Sequence, residues 1–251
     1  MDDRDPGVGA AFYARRGSTP ADWWTLLHPP YTLWHLSYVV MGAALAPRLS
    51  PAMLAGTVLA FFLAVGVAAH ALDELAGRPL NTAISDRTLR TVAAASLTGA
   101  VLLGILAIPH ASLLLAPCIA IGVLLVLGYN LELFAGHLHT DIGFAAAWGA
   151  FPVLVGYLAQ TPPLTRPVTA GALCLALAAT GLSYTQRQLS TPARALRRRT
   201  SSIDGTITAA DGTQQPLDRA VLLAPLEAAL KTLAVTMPIL ALALLLARAV
   251  S

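Results

Sequence analysis

The sequence predicts an all-α integral membrane protein, a bundle of about seven transmembrane helices. Three observations carry that expectation. Hydrophobic types make up 56% of the 251 residues and charged types only 12%, against roughly 25% charged residues in a soluble domain. Mean hydropathy is +0.67. The apolar residues are also gathered into seven stretches that approach the roughly 20 residues needed to cross a bilayer.

The stretches run Tyr31 to Ala46, Met53 to Leu72, Thr91 to Ile108, Ala111 to Tyr129, Ile142 to Ala159, Val168 to Tyr184 and Thr232 to Val250. Pro109 separates the third from the fourth, and Pro117 is expected to kink the fourth. The last apolar pattern begins near Pro216 and is too long for one crossing, so Leu217 to Leu230 should protrude or lie at the interface. Residues 1–30 form an N-terminal segment in which Trp23-Trp24, with Leu26 and Leu27, reads as a short interfacial helix. Residues 31–251 form the transmembrane domain, interrupted at about 190–217 by a loop. Within it, Ser201 to Gln215 is rich in Ser, Thr, Gly and Asp and lacks apolar periodicity, as a flexible connection would.

Loop charge sets the orientation. Arg4, Arg15, Arg16, Arg78, Arg87, Arg90, Arg187, Arg194, Arg197, Arg198, Arg199 and Arg219 fall on one side of such a bundle. Arg48, Arg166 and Arg248 fall on the other, and Lys231 lies in the last helix. Positive residues accumulate in cytoplasmic loops, so the N-terminus is expected in the cytoplasm, in the plasma membrane of a prokaryote. The acidic start, Met1 to Pro6, has no apolar core and does not read as a signal peptide. The basic residues gather on no soluble domain, which excludes nucleic acid as the partner and leaves membrane lipid. Cys118 and Cys174 sit in apolar segments and suggest neither a disulfide framework nor a zinc site.

Three polar clusters interrupt this apolar background, all on the cytoplasmic side. The first follows the second span, where His70, Asp73 and Glu74 are spaced i, i+3, i+4 on one helix face. Gly77 and Pro79 end that helix, which leaves Arg78 to reach the same pocket or to pair locally with Asp73. Ionisable groups at a span's end need pairing, hydration or a metal. The second cluster is Tyr129-Asn130-Leu131-Glu132 with His137, His139 and Asp141. An extended chain points both histidines and Asp141 one way, whereas a helix aligns His137 with Asp141. His28 and His35 lie near the same face, and only His110 lies opposite. The third cluster runs from Tyr184 through Arg187 to Arg194 and Arg197-Arg198-Arg199, charges suited to phosphate or to anionic lipid. Glu227 and Lys231 form an i, i+4 pair.

On these residues the chain resembles the UbiA-type intramembrane prenyltransferase superfamily over about three quarters of its length. His28-Pro29-Pro30 leading to Met41-Gly42-Ala43 is similar to the family's first helix. Asp73, Glu74, Arg78-Pro79-Leu80 and Ala83-Ile84-Ser85 stand where the family has its first Asp-rich motif and the elements after it. Tyr129 and Ala147-Trp148-Gly149-Ala150-Phe151-Pro152 resemble the end of helix four and helix five. The first motif is shortened, the second has no counterpart because Tyr184 to Ser190 carries no carboxylate, and seven spans replace nine.

The resemblance implies transfer or cyclisation of a prenyl group from a diphosphate. Asp73 and Glu74 would then hold Mg²⁺, with His70 and Asp141 beside them in catalysis. Arg78, Arg87 and Arg187 would neutralise the diphosphate, and Tyr129, Asn130 and Tyr184 would contact the substrate. The substrate class is an isoprenoid or another hydrophobic small molecule. Two other readings stay open. His70, Asp73, Glu74, His137, His139 and Asp141 form a mixed set suited to Zn²⁺, Fe²⁺ or Mn²⁺, which would make a metalloenzyme with no diphosphate donor. A transporter or structural subunit is the third, although transport sites generally lie at the midplane.

Overall fold

A computed structural model describes residues 10–15, 17–133, 135, 137, 140–163 and 168–250. The helices are α1 (Thr19–Leu26), α2 (Pro29–Ala44), α3 (Pro51–Leu75), α4 (Asp86–Ala107), α5 (Leu115–Asn130), α6 (Asp141–Ala159), α7 (Ala170–Arg198) and α8 (Arg219–Val250). Five begin on a Ser or Thr whose hydroxyl accepts from an N–H of the first turn: Ser18, Ser50, Ser85, Thr140 and Thr169. Such caps satisfy donors that the helix itself leaves without partners.

Each apolar stretch coincides with a helix, so the all-α expectation holds. Length and apolarity establish four helices able to cross a membrane: Pro51–Leu75, Asp86–His110, Asp141–Ala159 and Arg219–Ala249. The α2 and α5 helices have 16 residues each. The α7 helix has 29 but turns polar in its second half. Pro117 does not kink α5. It falls in the first turn, where its missing N–H removes no helix bond.

The connection also differs from its expectation. Residues 190–198 are the last turns of α7 rather than loop. Thr206–Thr208 and Gln214–Pro216 form an exposed antiparallel hairpin, β1–β2. Asp211-Gly212 makes its turn, with Gly212 at φ +88° and Thr213 N–H donating to Asp211 Oδ1 at 2.9 Å.

The core packs α2 against α6, α7 and α8 around Trp34, Tyr38, Met41, Val153 and Met237. Close backbone approach makes this contact possible. A Cβ at Gly42 would strike the Val153 carbonyl, and one at Gly156 would strike that of Val39. Small residues at helix crossings serve this purpose in membrane bundles. Gly42→Val should therefore force α2 from α6 and destabilise the protein by about 1–3 kcal/mol, read as a lower thermal midpoint in detergent. Gly56→Val, at a position where a Cβ meets nothing within 4 Å, should leave the midpoint nearly unchanged.

Polar contacts sort the molecule into two ends. At one end Arg48 bonds to the His110 carbonyl and, at 3.3 Å, to that of Gln160. Arg248 there reaches the Ala44 and Ala46 carbonyls. At the other end Asp141 meets Arg187, and Glu227 meets Arg197 at 2.5 Å. This is the partition of charge expected from the loops. Arg4, Arg16 and Arg166 lie outside the described residues.

Candidate functional site

The last turns of α3 carry the first cluster just after a π-helical segment, Phe62–Ala69, a distortion common at functional sites. His70 Nδ1 donates to the Gly66 carbonyl at 3.0 Å, and its ring stacks on His28 at 4.3 Å between centroids. His28 is at φ 46° in the left-handed region, where it turns the chain from α1 into α2. Burial first, then the His70 ring, hold the His28 imidazole well below the usual histidine range. Half-buried Asp73 lies within charge–charge range of Tyr13 and Arg198.

Glu74 does not join them. It is 0% exposed, and its carboxylate turns into the following loop. Oε2 accepts from Leu80 N–H at 2.9 Å, and Oε1 accepts from Thr82 N–H and Thr82 Oγ1, each at 2.9 Å. Both oxygens are committed to closing the turn that contains Gly77 at φ +92°, Arg78 at +54° and Asn81 at +55°. Arg78 pairs with Asp86 rather than Asp73, and its Nη1 also donates to the Ile84 carbonyl at 2.6 Å. It therefore fixes the loop to the start of α4. Arg87 is exposed on the first turn of α4.

In the second cluster Asp141 opens α6 and links it to α7. Arg187 Nε donates to Oδ1 and Gln188 Nε2 to Oδ2, both at 2.9 Å. The Arg187 guanidinium also lies 5.4 Å from the Phe144 ring centre. Tyr129 is buried, with its ring 5.3 Å from that of Trp148, and Arg187, Arg194, Asp73 and Asp141 are all within charge–charge range of its hydroxyl. Asn130 folds back on its own helix, donating to the Val126 carbonyl at 2.7 Å. Tyr184 is 43% exposed on the outer side of α7. His137 sits in the turn before α6, and His139 lies outside the described residues.

Asp73, Asp141, Arg187 and Arg194 thus gather within charge–charge range of the Tyr129 hydroxyl, a polar basin at one end of the bundle. Sequence reasoning missed Trp148, which packs on Tyr129, and Tyr13 and Tyr31, which lie with Arg194 and Arg198 at the same end. Tyr13 reaches the basin only because the N-terminal segment folds back and its hydroxyl bonds to His28 Nδ1. Burial pushes that hydroxyl above the usual phenol range.

Behind the basin lies a half-open apolar cavity of about 260 Å³ between α3, α4, α5 and α6. Gly56, Ala60, Ala64, Gly104 and Gly122 line it, and their small side chains leave the space. Trp148 belongs to both compartments, since it lines the cavity and packs on Tyr129. Among the described residues no group of three or more His, Cys, Asp or Glu is placed to hold a metal ion. No family model, no curated protein and no solved structure matches this chain.

Proposed function

We propose that this chain is a divergent UbiA-type membrane enzyme acting on an isoprenoid whose anionic head sits in the basin and whose tail enters the apolar cavity. In this reading α2, α5 and α7 cross the bilayer with α3, α4, α6 and α8, and the basin faces the cytoplasm. The observation that carries it is the charged basin separated from an apolar cavity by the Tyr129–Trp148 pair. Ligand pockets combine mostly apolar walls with a few placed polar groups, and at about 260 Å³ the cavity accommodates part of a prenyl chain.

The family's Mg²⁺ clamp does not fit the side chains here. The oxygens of Glu74 accept three hydrogen bonds from the turn, and those of Asp141 are held by Arg187 and Gln188. Asp73 is the one carboxylate of the predicted set left facing the basin. Charge neutralisation of the head is assigned instead to Arg187. Fixed cations of this kind stabilise a departing diphosphate electrostatically. The C–O bond breaks with its electron pair leaving on the diphosphate; the allylic cation, beside the Tyr129 and Trp148 rings, is captured by an acceptor nucleophile or by the chain's own double bond, with loss of a proton to solvent. The mixed His/carboxylate reading finds less support, because His70 Nδ1 is bonded to Gly66 and its ring is covered by His28.

The test is turnover of isoprenyl diphosphates by purified protein, read as pyrophosphate release across chain lengths. Gly56→Phe, which places a ring in the cavity from a position with open space around its Cβ, should shift preference toward shorter donors. Absence of release with every donor and acceptor, or a chain-length profile indifferent to Gly56→Phe, contradicts the proposal.

A further inference from the structure

A second and much smaller cavity, about 50 Å³, lies where the N-terminal segment crosses the cytoplasmic extensions of α7 and α8. It shares no lining residue with the apolar cavity. Its walls include Tyr13, His28, Tyr31, Ser190, Arg194 and Arg198. We propose that it is a binding site for a small phosphate-type oxyanion, beside the basin and built on Arg194 and Arg198 rather than on Arg187, and that it does not rest on the prenyl-transfer reading.

The donors argue for an anion. A phenol is a stronger acid than a neutral imidazole, so the Tyr13 hydroxyl donates to His28 Nδ1 and the imidazole proton sits on Nε2. That Nε2 is buried and has no partner. A buried donor without an acceptor is costly, and a bound anion supplies one. Arg194 makes only long bonds to neutral hydroxyls of its own helix, 3.4 Å to Ser190 Oγ and 3.3 Å to Thr191 Oγ1. Arg198 uses Nε on the Ala10 carbonyl at 3.0 Å, which leaves the rest of its fork to a ligand.

Carboxylates do not cancel this charge. Glu227 also lines the cavity, but it is held by Arg197 at 2.5 Å and lies 4.0 Å from Lys231. Asp73 and Glu74 reach Arg198 only as more distant charges. Among the described residues neither Arg194 nor Arg198 forms an ion pair. Their guanidinium planes match the geometry of phosphate oxygens.

A cavity of about 50 Å³ holds a few waters or one compact oxyanion, not a diphosphate with its chain. The same chemistry is offered by free phosphate and by a phosphomonoester lipid head. Bound there, either would tie the N-terminal segment to α7.

The test measures the thermal midpoint of the full chain with inorganic phosphate against chloride at equal ionic strength. A second arm compares nanodiscs containing phosphatidic acid with nanodiscs of phosphatidylcholine alone. The wild type should gain about 3 °C or more at phosphate ten times above its dissociation constant. A gain with free phosphate assigns a soluble ligand, and a gain only with phosphatidic acid assigns a lipid head. Arg198→Gln should abolish the gain. Tyr31→Phe keeps the ring and removes one donor, so it should weaken binding severalfold even if Arg198→Gln fails to fold. Arg187→Ala should retain the gain. No shift in either arm, or a shift lost in Arg187→Ala and kept in Arg198→Gln and Tyr31→Phe, overturns the proposal, and both outcomes are separable from failure of prenyl turnover.

Discussion

Glu74→Ala is expected to be the most damaging single substitution in the chain. Its carboxylate is fully buried and satisfies two backbone N–H groups and one hydroxyl of the turn that joins α3 to α4. Removing it leaves those donors without partners in a region packed against Leu26, Ala71 and Leu89. An unsatisfied buried donor costs about 1–3 kcal/mol, so the loss should reach roughly 3–5 kcal/mol for the set. Glu74→Gln keeps an acceptor for Thr82 but turns an amide toward Leu80 N–H, and should lose about half as much. Thermal unfolding in detergent measures both. Because the role is structural, added Mg²⁺ should not restore Glu74→Ala. Restoration would assign Glu74 to a metal instead.

Arg187→Ala is expected to have the largest effect on function. Its guanidinium bridges Asp141 and the face of Phe144 beside the buried Tyr129, so it positions the basin's wall and supplies its central charge. Removing the protein's charged partner of a bound diphosphate costs about 2–5 kcal/mol of binding, so affinity for an isoprenyl diphosphate should fall about 100-fold. Gln188 still holds Asp141 Oδ2 at 2.9 Å, so α6 and α7 should stay joined and the thermal midpoint should move little. Arg187→Lys keeps the charge but not the planar fork, and should fall between. Ligand titration of the folded variant checks this, and unchanged affinity would remove Arg187 from the site.

The helices were legible because apolar runs bounded by Ser, Thr and Pro leave little choice of structure. The side on which each charge sits was legible too, since Arg48 and Arg248 gather at one end and Arg187, Arg194 and Arg198 at the other. The direction a side chain takes at a helix end was not. His70, Asp73 and Glu74 share a face by spacing, but the positive-φ residues Gly77, Arg78 and Asn81 bring donors back onto Glu74 alone.

Arg78 was drawn to Asp86 for the same reason. The spacing gave Asp73 as its nearer partner, and loop geometry decided otherwise. Tyr13 carried no signal at all, because its contact with His28 exists only once the N-terminal segment folds over α2. The Asp211-Gly212 hairpin, by contrast, was written in the sequence. Asp-Gly between short β-compatible runs is a turn signature, and polarity alone was too coarse a reading of it. The apolar cavity follows from small residues at Gly56, Gly104 and Gly122, which lie on three different helices and are adjacent only in the folded bundle.

In the proposed function one amphipathic molecule spans the basin and the apolar cavity. An isoprenyl diphosphate carrying a photoreactive diazirine at the tail end tests it most directly, with crosslinked peptides identified by mass spectrometry. Label should fall on cavity-lining positions of α3, α4 and α5, such as Gly56, Ala60, Gly104 and Gly122. It should also be competed by unlabelled diphosphate and weakened by Arg187→Ala. Label spread over the lipid-facing sides of the helices, without competition, would contradict the account.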